Sequence, residues 1–314
     1  MSRTWWTVLR LLGGAAIVAY LLQRLGTGPF TDGVRQVDAS SLAAAAGIAL
    51  LSTVCCAWRW RLVARGLGVG LSMRAAVAAC YRSQFLNTTL PGGVLGDVHR
   101  AVLHGRGVGD VGRAARAVAW ERSAGQVVLL VLAVIVLLVV PSFVQPVMPV
   151  VATLLLAAAL VLVLLVRALP RGGPSRWART VRAAGADLRD GVLAKRAWPG
   201  IVLASTLAVA GHLATFLIAA WTAGSVASPV RLLPLALLAL VAMGVPASIA
   251  GWGPREGVAA WTFGVAGYGA ALGVRTAVVY GVMVLVASLP GAVVLLVDWG
   301  RRNTPSAAPG AAHG

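Results

Sequence analysis

Nine acidic side chains serve the 314 residues of this chain, and only two of them are Glu. Three of the nine stand where apolar stretches begin or end. Glu121 lies in Ala119-Trp120-Glu121-Arg122-Ser123-Ala124-Gly125, at the mouth of a long hydrophobic run. Glu256 lies in Gly251-Trp252-Gly253-Pro254-Arg255-Glu256-Gly257, just after another. Asp97 closes Asn87-Thr88-Thr89-Leu90-Pro91-Gly92-Gly93-Val94-Leu95-Gly96-Asp97, with His99 and Arg100 beyond it. Each acid has an arginine within three positions, and Arg82 stands a few turns before the first. A charge at bilayer depth costs roughly 2.5–3.5 kcal/mol on insertion scales, so such groups pair with one another or line a polar cavity. Guanidinium matches phosphate bidentately. The chemistry indicated is therefore anion recognition: Arg82, Arg100, Arg122 and Arg255 receive a lipid phosphate, while Asp97, Glu121 and Glu256 hold those arginines or accept an amine. A competing chemistry is that of a membrane-embedded enzyme or accessory, in which paired carboxylates near the interface act as base or metal ligands.

The glycines and prolines bear on the same segments. Pro91-Gly92-Gly93, with Gly96 behind it, breaks one hydrophobic stretch, and Pro246 through Gly251, Gly253 and Pro254 break another. Non-helical backbone at membrane depth survives only beside protein or a wet cavity. Gly/Pro-interrupted segments in corresponding positions of two halves are where transporters place substrate sites, with broken-helix N-termini aimed at anions. Asn87 and the breaking residues therefore join the candidate site, and the two segments suggest a loose internal repeat. The plainer alternative is that the glycines are helix-packing contacts, the Glu-Arg neighbours are interface anchors and Arg82 snorkels.

The elements that must position these residues are helices in lipid. Apolar residues make up 59% of the chain, charged residues 11%, and mean hydropathy is +0.86, far from the soluble norm. Val127 to Val140 and Val147 to Val166 carry almost no polar residue. The expected fold is an all-α polytopic membrane bundle of about 7–8 transmembrane helices plus one or two broken or re-entrant segments. Spans are predicted near 5–25, 41–60, 118–140, 147–167, 199–222, 231–250 and 274–297, each close to the roughly 20 residues a bilayer core requires. Residues 75–96 and 252–271 are the broken or re-entrant pieces. The N-terminal stretch reads as an uncleaved first span. Residues 1–302 are expected to form one membrane-embedded unit, and 303–314, a Pro, Ala and Gly tail, to be disordered.

The net charge of +18 comes from 26 Arg and one Lys against the nine acids. These cluster in short segments between apolar runs, which argues for cytoplasmic loops beside anionic lipid and against nucleic-acid binding. Segments 59–74, 98–117 and 167–198 are the expected cytoplasmic loops, with both termini on that side of the cell membrane. Within 168–198, Trp177, Val181, Ala184, Leu188 and Val192 share one helical face, as in a helix lying on the membrane surface, or a hairpin packed on helix ends. Cys55, Cys56 and Cys80 read as small packing residues. The chain has no phosphate loop, nucleotide fingerprint, metal-ligand cluster or Ser-His-Asp arrangement, and His99, His104, His212 and His313 are scattered. No cofactor, no metal and no ATP-driven step is expected.

Three blocks of the chain resemble the transmembrane region of lysylphosphatidylglycerol synthases, flippase-like membrane proteins found alone or fused to other domains. They are Phe85-Leu86-Asn87-x-x-Leu90-Pro91-Gly92-Gly93-x-x-Gly96-Asp97-x-x-Arg100, the pair Glu121-Arg122, and Gly251-x-Gly253-x-Arg255-Glu256. The resemblance spans roughly residues 10–300, with Trp252 and Pro254 standing in place of the more usual small-residue lead into the last block. It implies movement of a lipid or lipid-linked molecule between leaflets, and the arginines named above favour an anionic one. No segment is polar and long enough for an aminoacyl-transferase domain, so lipid synthesis would fall to a separate enzyme. The alternative it leaves is a component or accessory of lipid-linked glycosyl or aminoacyl transfer, and a purely structural assembly partner would tolerate substitution at all these sites.

Overall fold

The computed structural model describes residues 3–91, 93–168, 176–245 and 252–303. Among these residues there is no β-strand. α1 (Arg3–Leu25) and the short α2 (Gly28–Arg35) lead into α3 (Ala39–Gly66), followed by α4 (Met73–Thr89), α5 (Leu95–Val108) and α6 (Val111–Val139). α7 (Met148–Ala168), α8 (Arg176–Asp187), α9 (Trp198–Thr222), α10 (Pro229–Met243), α11 (Pro254–Val265) and α12 (Ala270–Ser288) come next, and α13 (Pro290–Asn303) closes the bundle. The starts are chemically marked. Asp38 accepts the Ser41 N–H at 2.7 Å to begin α3, and Asp110 accepts the Arg113 N–H at 2.8 Å to begin α6, each satisfying a donor that has no partner inside its helix. Pro254 and Pro290 open α11 and α13, where a missing N–H costs nothing.

Among the described residues, four helical stretches are long and apolar enough to cross a membrane: α3, α6, α9 and the run Ala270–Gly300 through α12 and α13. Three shorter apolar stretches, Leu12–Leu25, Gln145–Val161 and Pro229–Met243, fall where the other three predicted spans lie. Val127, Val131, Ile135 and Val139 of α6, with Leu154, Leu156 and Leu160 of α7, are exposed, as an apolar outer wall in lipid should be. The chain is a multi-pass membrane protein. The expected loop 59–74 is shorter than its arginines suggest. α3 runs on through Arg59, Arg61 and Arg65 to Gly66, because Trp60, Leu62, Val63 and Ala64 continue to bury an apolar face against the bundle.

Two halves of the bundle repeat one packing plan. α3 packs along α9; each half then has a short helix pair, α4–α5 or α10–α11, lying against its own last helix, α6 or α12. Each last helix also crosses to the other half, α6 onto α9 and α10, α12 onto α3 and α4. Small residues set how close α3 and α9 come. A side chain at Gly200 would strike Leu62 and Trp58, and one at Gly211 would strike Ser52 and Ile48. Later residues of α9 thus meet earlier residues of α3, so the two helices are antiparallel and the halves are inverted with respect to each other. The contacts among the described helices match the pseudo-repeat in outline, while residues 246–251 of its second broken segment lie outside the described residues.

The segment after α8 docks rather than floats. Asp187 is buried and accepts a 2.6 Å hydrogen bond from Arg116 Nε of α6. A π-helical turn, Leu188–Val192, then packs on α3, where Gly66 meets the backbone at Asp190 and Gly191. This end of the 168–198 segment takes the alternative form, a piece packed on helix ends. The Trp177 side chain, residues 169–175 and the tail 304–314 lie outside what is described.

Candidate functional site

α4 and α5 form a tight pair because of one small residue. A Cβ on Gly96 would run into the backbone of Ser83, so only glycine lets the start of α5 lie against α4. The turn between them passes Pro91 and Gly93, whose φ of +63° lies in the left-handed region. Gly92 lies outside the described residues. Asn87 clamps the turn: its Oδ1 accepts the Gly96 N–H at 2.8 Å and its Nδ2 donates to Asp97 Oδ2 at 3.1 Å.

Asp97, in the first turn of α5 where the helix dipole favours an anion, then organises three elements. It accepts from Ser83 Oγ of α4 at 3.1 Å, from Arg100 Nε at 3.0 Å and from Arg122 Nη2 of α6. Arg100 also donates to Glu121 Oε2 and lies with its guanidinium 4.8 Å from the Trp60 ring centre. Glu121 is 1% exposed and receives a second cation, Arg59 of α3, through Nε at 2.9 Å and Nη2. Arg59 in turn donates to Ser205 Oγ of α9 at 3.1 Å. Gly125 makes room for this: a Cβ there would sit 2.7 Å from Arg59 Nη1.

The second half presents a different arrangement. Gly253, at φ +127°, caps α11 and donates its N–H to Glu256 Oε2 at 2.7 Å. Arg255 pairs with Oε1 of the same carboxylate, at 2.9 Å through Nε, and its guanidinium lies 5.7 Å from the Trp252 ring and 5.2 Å from the Tyr280 ring. A side chain at Gly281 would strike Arg255 Nη2. Gly251 lies outside the described residues.

Between the two arrangements lies a cavity of about 370 Å³, near the lower end of the range for small-molecule sites. Its wall includes Asp97, Arg100, Glu121 and Arg122 from the first half, Arg255 from the second, Arg59 from α3, and the neutral polar residues Gln84, Asn87, His212 and Tyr280. Gly93 and Trp252 also touch it. Counting Glu256, which is bound to Arg255, four guanidinium groups face three carboxylates, leaving one positive charge in excess. Arg122 is the least enclosed of the four, with 51% of its side chain exposed.

The structure therefore gathers most of the residues singled out from the sequence. Pro91, Gly96, Gly253 and Glu256 support the wall without forming it. Arg82 stands apart, paired with Asp298 of α13 away from the cavity lining. The pairing also differs from sequence neighbourhood. Glu121 and Arg122 do not bond each other as Arg255 and Glu256 do; Glu121 takes Arg59 and Arg100 from α3 and α5, and Arg122 takes Asp97. The residue that sequence reasoning missed is Arg59, counted as a loop arginine. Its signal was the lack of any proline between Asp38 and Gly66, which keeps it inside a span. Ser83, Ser205, His212 and Tyr280 carried no spacing signal.

No curated protein and no solved structure matches the chain. A family model does, over residues 7–291, and it covers both broken segments and the Glu121-Arg122 pair. The chain belongs to the family described as the lysylphosphatidylglycerol synthase TM region.

Proposed function

We propose that the chain moves an anionic lipid, or a lipid-linked headgroup, between leaflets through this cavity. The observation that carries the reading is the single excess positive charge in a headgroup-sized cavity built between two inverted halves. The carboxylates fix the guanidinium groups in place, and a phosphodiester supplies the missing negative charge. Arg122 is the first contact, since it alone of the four keeps half its surface open, and a guanidinium offers phosphate two parallel donors. Inverted halves provide the motion: rocking one against the other opens the same site to opposite faces in turn. The binding is electrostatic, the acyl chains remain in lipid, and no bond is made or broken.

The alternative, a component of lipid-linked glycosyl or aminoacyl transfer, needs a carboxylate free to act as base. Asp97, Glu121 and Glu256 each already hold at least one guanidinium, which weighs against it. The test is translocation of NBD-labelled phosphatidylglycerol, with an NBD-labelled cationic lipid and a labelled polyprenyl phosphate alongside, in proteoliposomes carrying wild type, Arg122→Gln or Asp97→Asn. Movement of an anionic probe that both variants lose is the expected result. Equal movement by wild type and Arg122→Gln, with both folded, would remove the cavity from the mechanism.

A further inference from the structure

Among the described residues, His212 is the histidine of the cavity wall, and no carboxylate pairs with it. It stands in α9, an otherwise almost wholly apolar helix, and is exposed although the helix lies at the centre of the bundle, because it lines the cavity. Its Nδ1 lies 3.0 Å from the Tyr280 hydroxyl of α12, a residue with no exposed surface, and Tyr280 lies under the Arg255 guanidinium. The other charged groups around the cavity come from every side: Arg59 from α3, Asp97 and Arg100 from α5, Glu121 and Arg122 from α6, and Arg255 with Glu256 from α11. α10 contributes Leu240 and Met243 to this wall, and Gly244 and Val245 follow just after it, none of them charged.

The charge count gives this position a consequence. With the cavity empty, a proton on His212 would add a second excess positive charge beside the first, at a place with no carboxylate of its own. A seated phosphodiester cancels the first, and the proton then completes a cavity of unchanged net charge. Anion and proton therefore favour each other's binding, and by linkage they do so by the same factor. The Tyr280 hydroxyl serves both states. It donates to a neutral Nδ1 and, once both ring nitrogens carry protons, accepts from it.

We infer that His212 takes up one proton with each anionic headgroup that seats in the cavity. The proton comes from water at the open mouth, rests on the imidazole and returns to water when the headgroup leaves. This rests on the anion-carrying reading above and adds an energy source to it. A phosphodiester crossing with one proton moves no net charge, so a pH gradient drives it and a membrane potential does not.

The test uses the full chain. In weakly buffered detergent solution, dihexanoyl-phosphatidylglycerol is expected to draw up to one proton per chain from the medium, read by a pH-indicator dye. Uptake should persist in His104→Gln and vanish in His212→Gln. No uptake by wild type would overturn the inference, and so would undiminished uptake by a folded His212→Gln. In proteoliposomes, a pH step of about one unit should accumulate NBD-phosphatidylglycerol about tenfold on the alkaline side, the ratio one coupled proton sets at equilibrium. A potassium diffusion potential should leave that ratio unchanged. For His212→Gln the ratio should be near one, whatever its absolute rate. Wild-type movement that ignores the gradient would overturn the coupling and leave the flippase reading standing. Proton uptake on binding without movement of the probe would support the His212 assignment and defeat the flippase reading instead.

Discussion

The two halves share a packing plan and spend their charges differently. In the first, Glu121 and Asp97 tie α3, α4, α5 and α6 together, and through Ser205 they reach α9. In the second, Arg255 and Glu256 are sequence neighbours that satisfy each other on one turn of α11, among the aromatic rings of Trp252 and Tyr280. The first half's ions are thus structural links as well as cavity wall, while the second half's pair is local. A cross-helix network transmits any loss to several elements at once; a local pair confines it.

The sharpest way to break this contrast is Glu121→Ala. It leaves Arg59 and Arg100 buried without their shared carboxylate, and removing one partner from a buried ion pair costs about 3–5 kcal/mol. A large fall in thermal midpoint, measured in detergent by loss of the monodisperse peak, is expected. An unchanged midpoint would mean that the network does not hold the helices. Next comes Gly96→Leu, which forces α5 off the Ser83 backbone and should cost about 1–3 kcal/mol as an overpacked contact does, seen in the same assay.

Arg122→Gln should separate function from stability. The residue is half-exposed, so the fold should tolerate the change, while loss of a charged hydrogen bond to the headgroup is worth about ten- to hundredfold in transport rate. A paired comparison then sets the halves side by side. Gly125→Ala crowds Arg59, locked by Glu121 and Ser205, and should lower stability more than Gly281→Ala, which crowds Arg255 beside a partner on its own turn. Equal losses from the two would erase the distinction between network and local pair. The smallest effect expected is Asp298→Asn. It removes the Arg82 partner at a site where the aspartate is 37% exposed, and screened pairs contribute no more than about 1 kcal/mol.

Much of this was legible in the residues themselves. Long apolar runs placed the spans, since lipid forbids unsatisfied backbone and demands helices. Pro91 and Gly93, with Gly253 and Pro254, placed the breaks, since proline removes a donor and glycine accepts a positive φ. The scarcity of acids placed Asp97, Glu121 and Glu256, because each charge in so apolar a chain needs a reason. The resemblance to the family rested on those same residues.

What the sequence determined by itself was therefore the class of fold, its breaks and the inventory of charges. Which charges meet across helices was decided by tertiary structure alone. Glu121 has Arg122 for a neighbour and holds Arg59, 62 positions away, because helix packing brings distant side chains together. Arg82 left the candidate site for the same reason, drawn to Asp298 on α13. His212 entered it because antiparallel packing of α9 along α3 turns one face of an apolar helix toward the cavity, and no pattern along the chain encodes that direction.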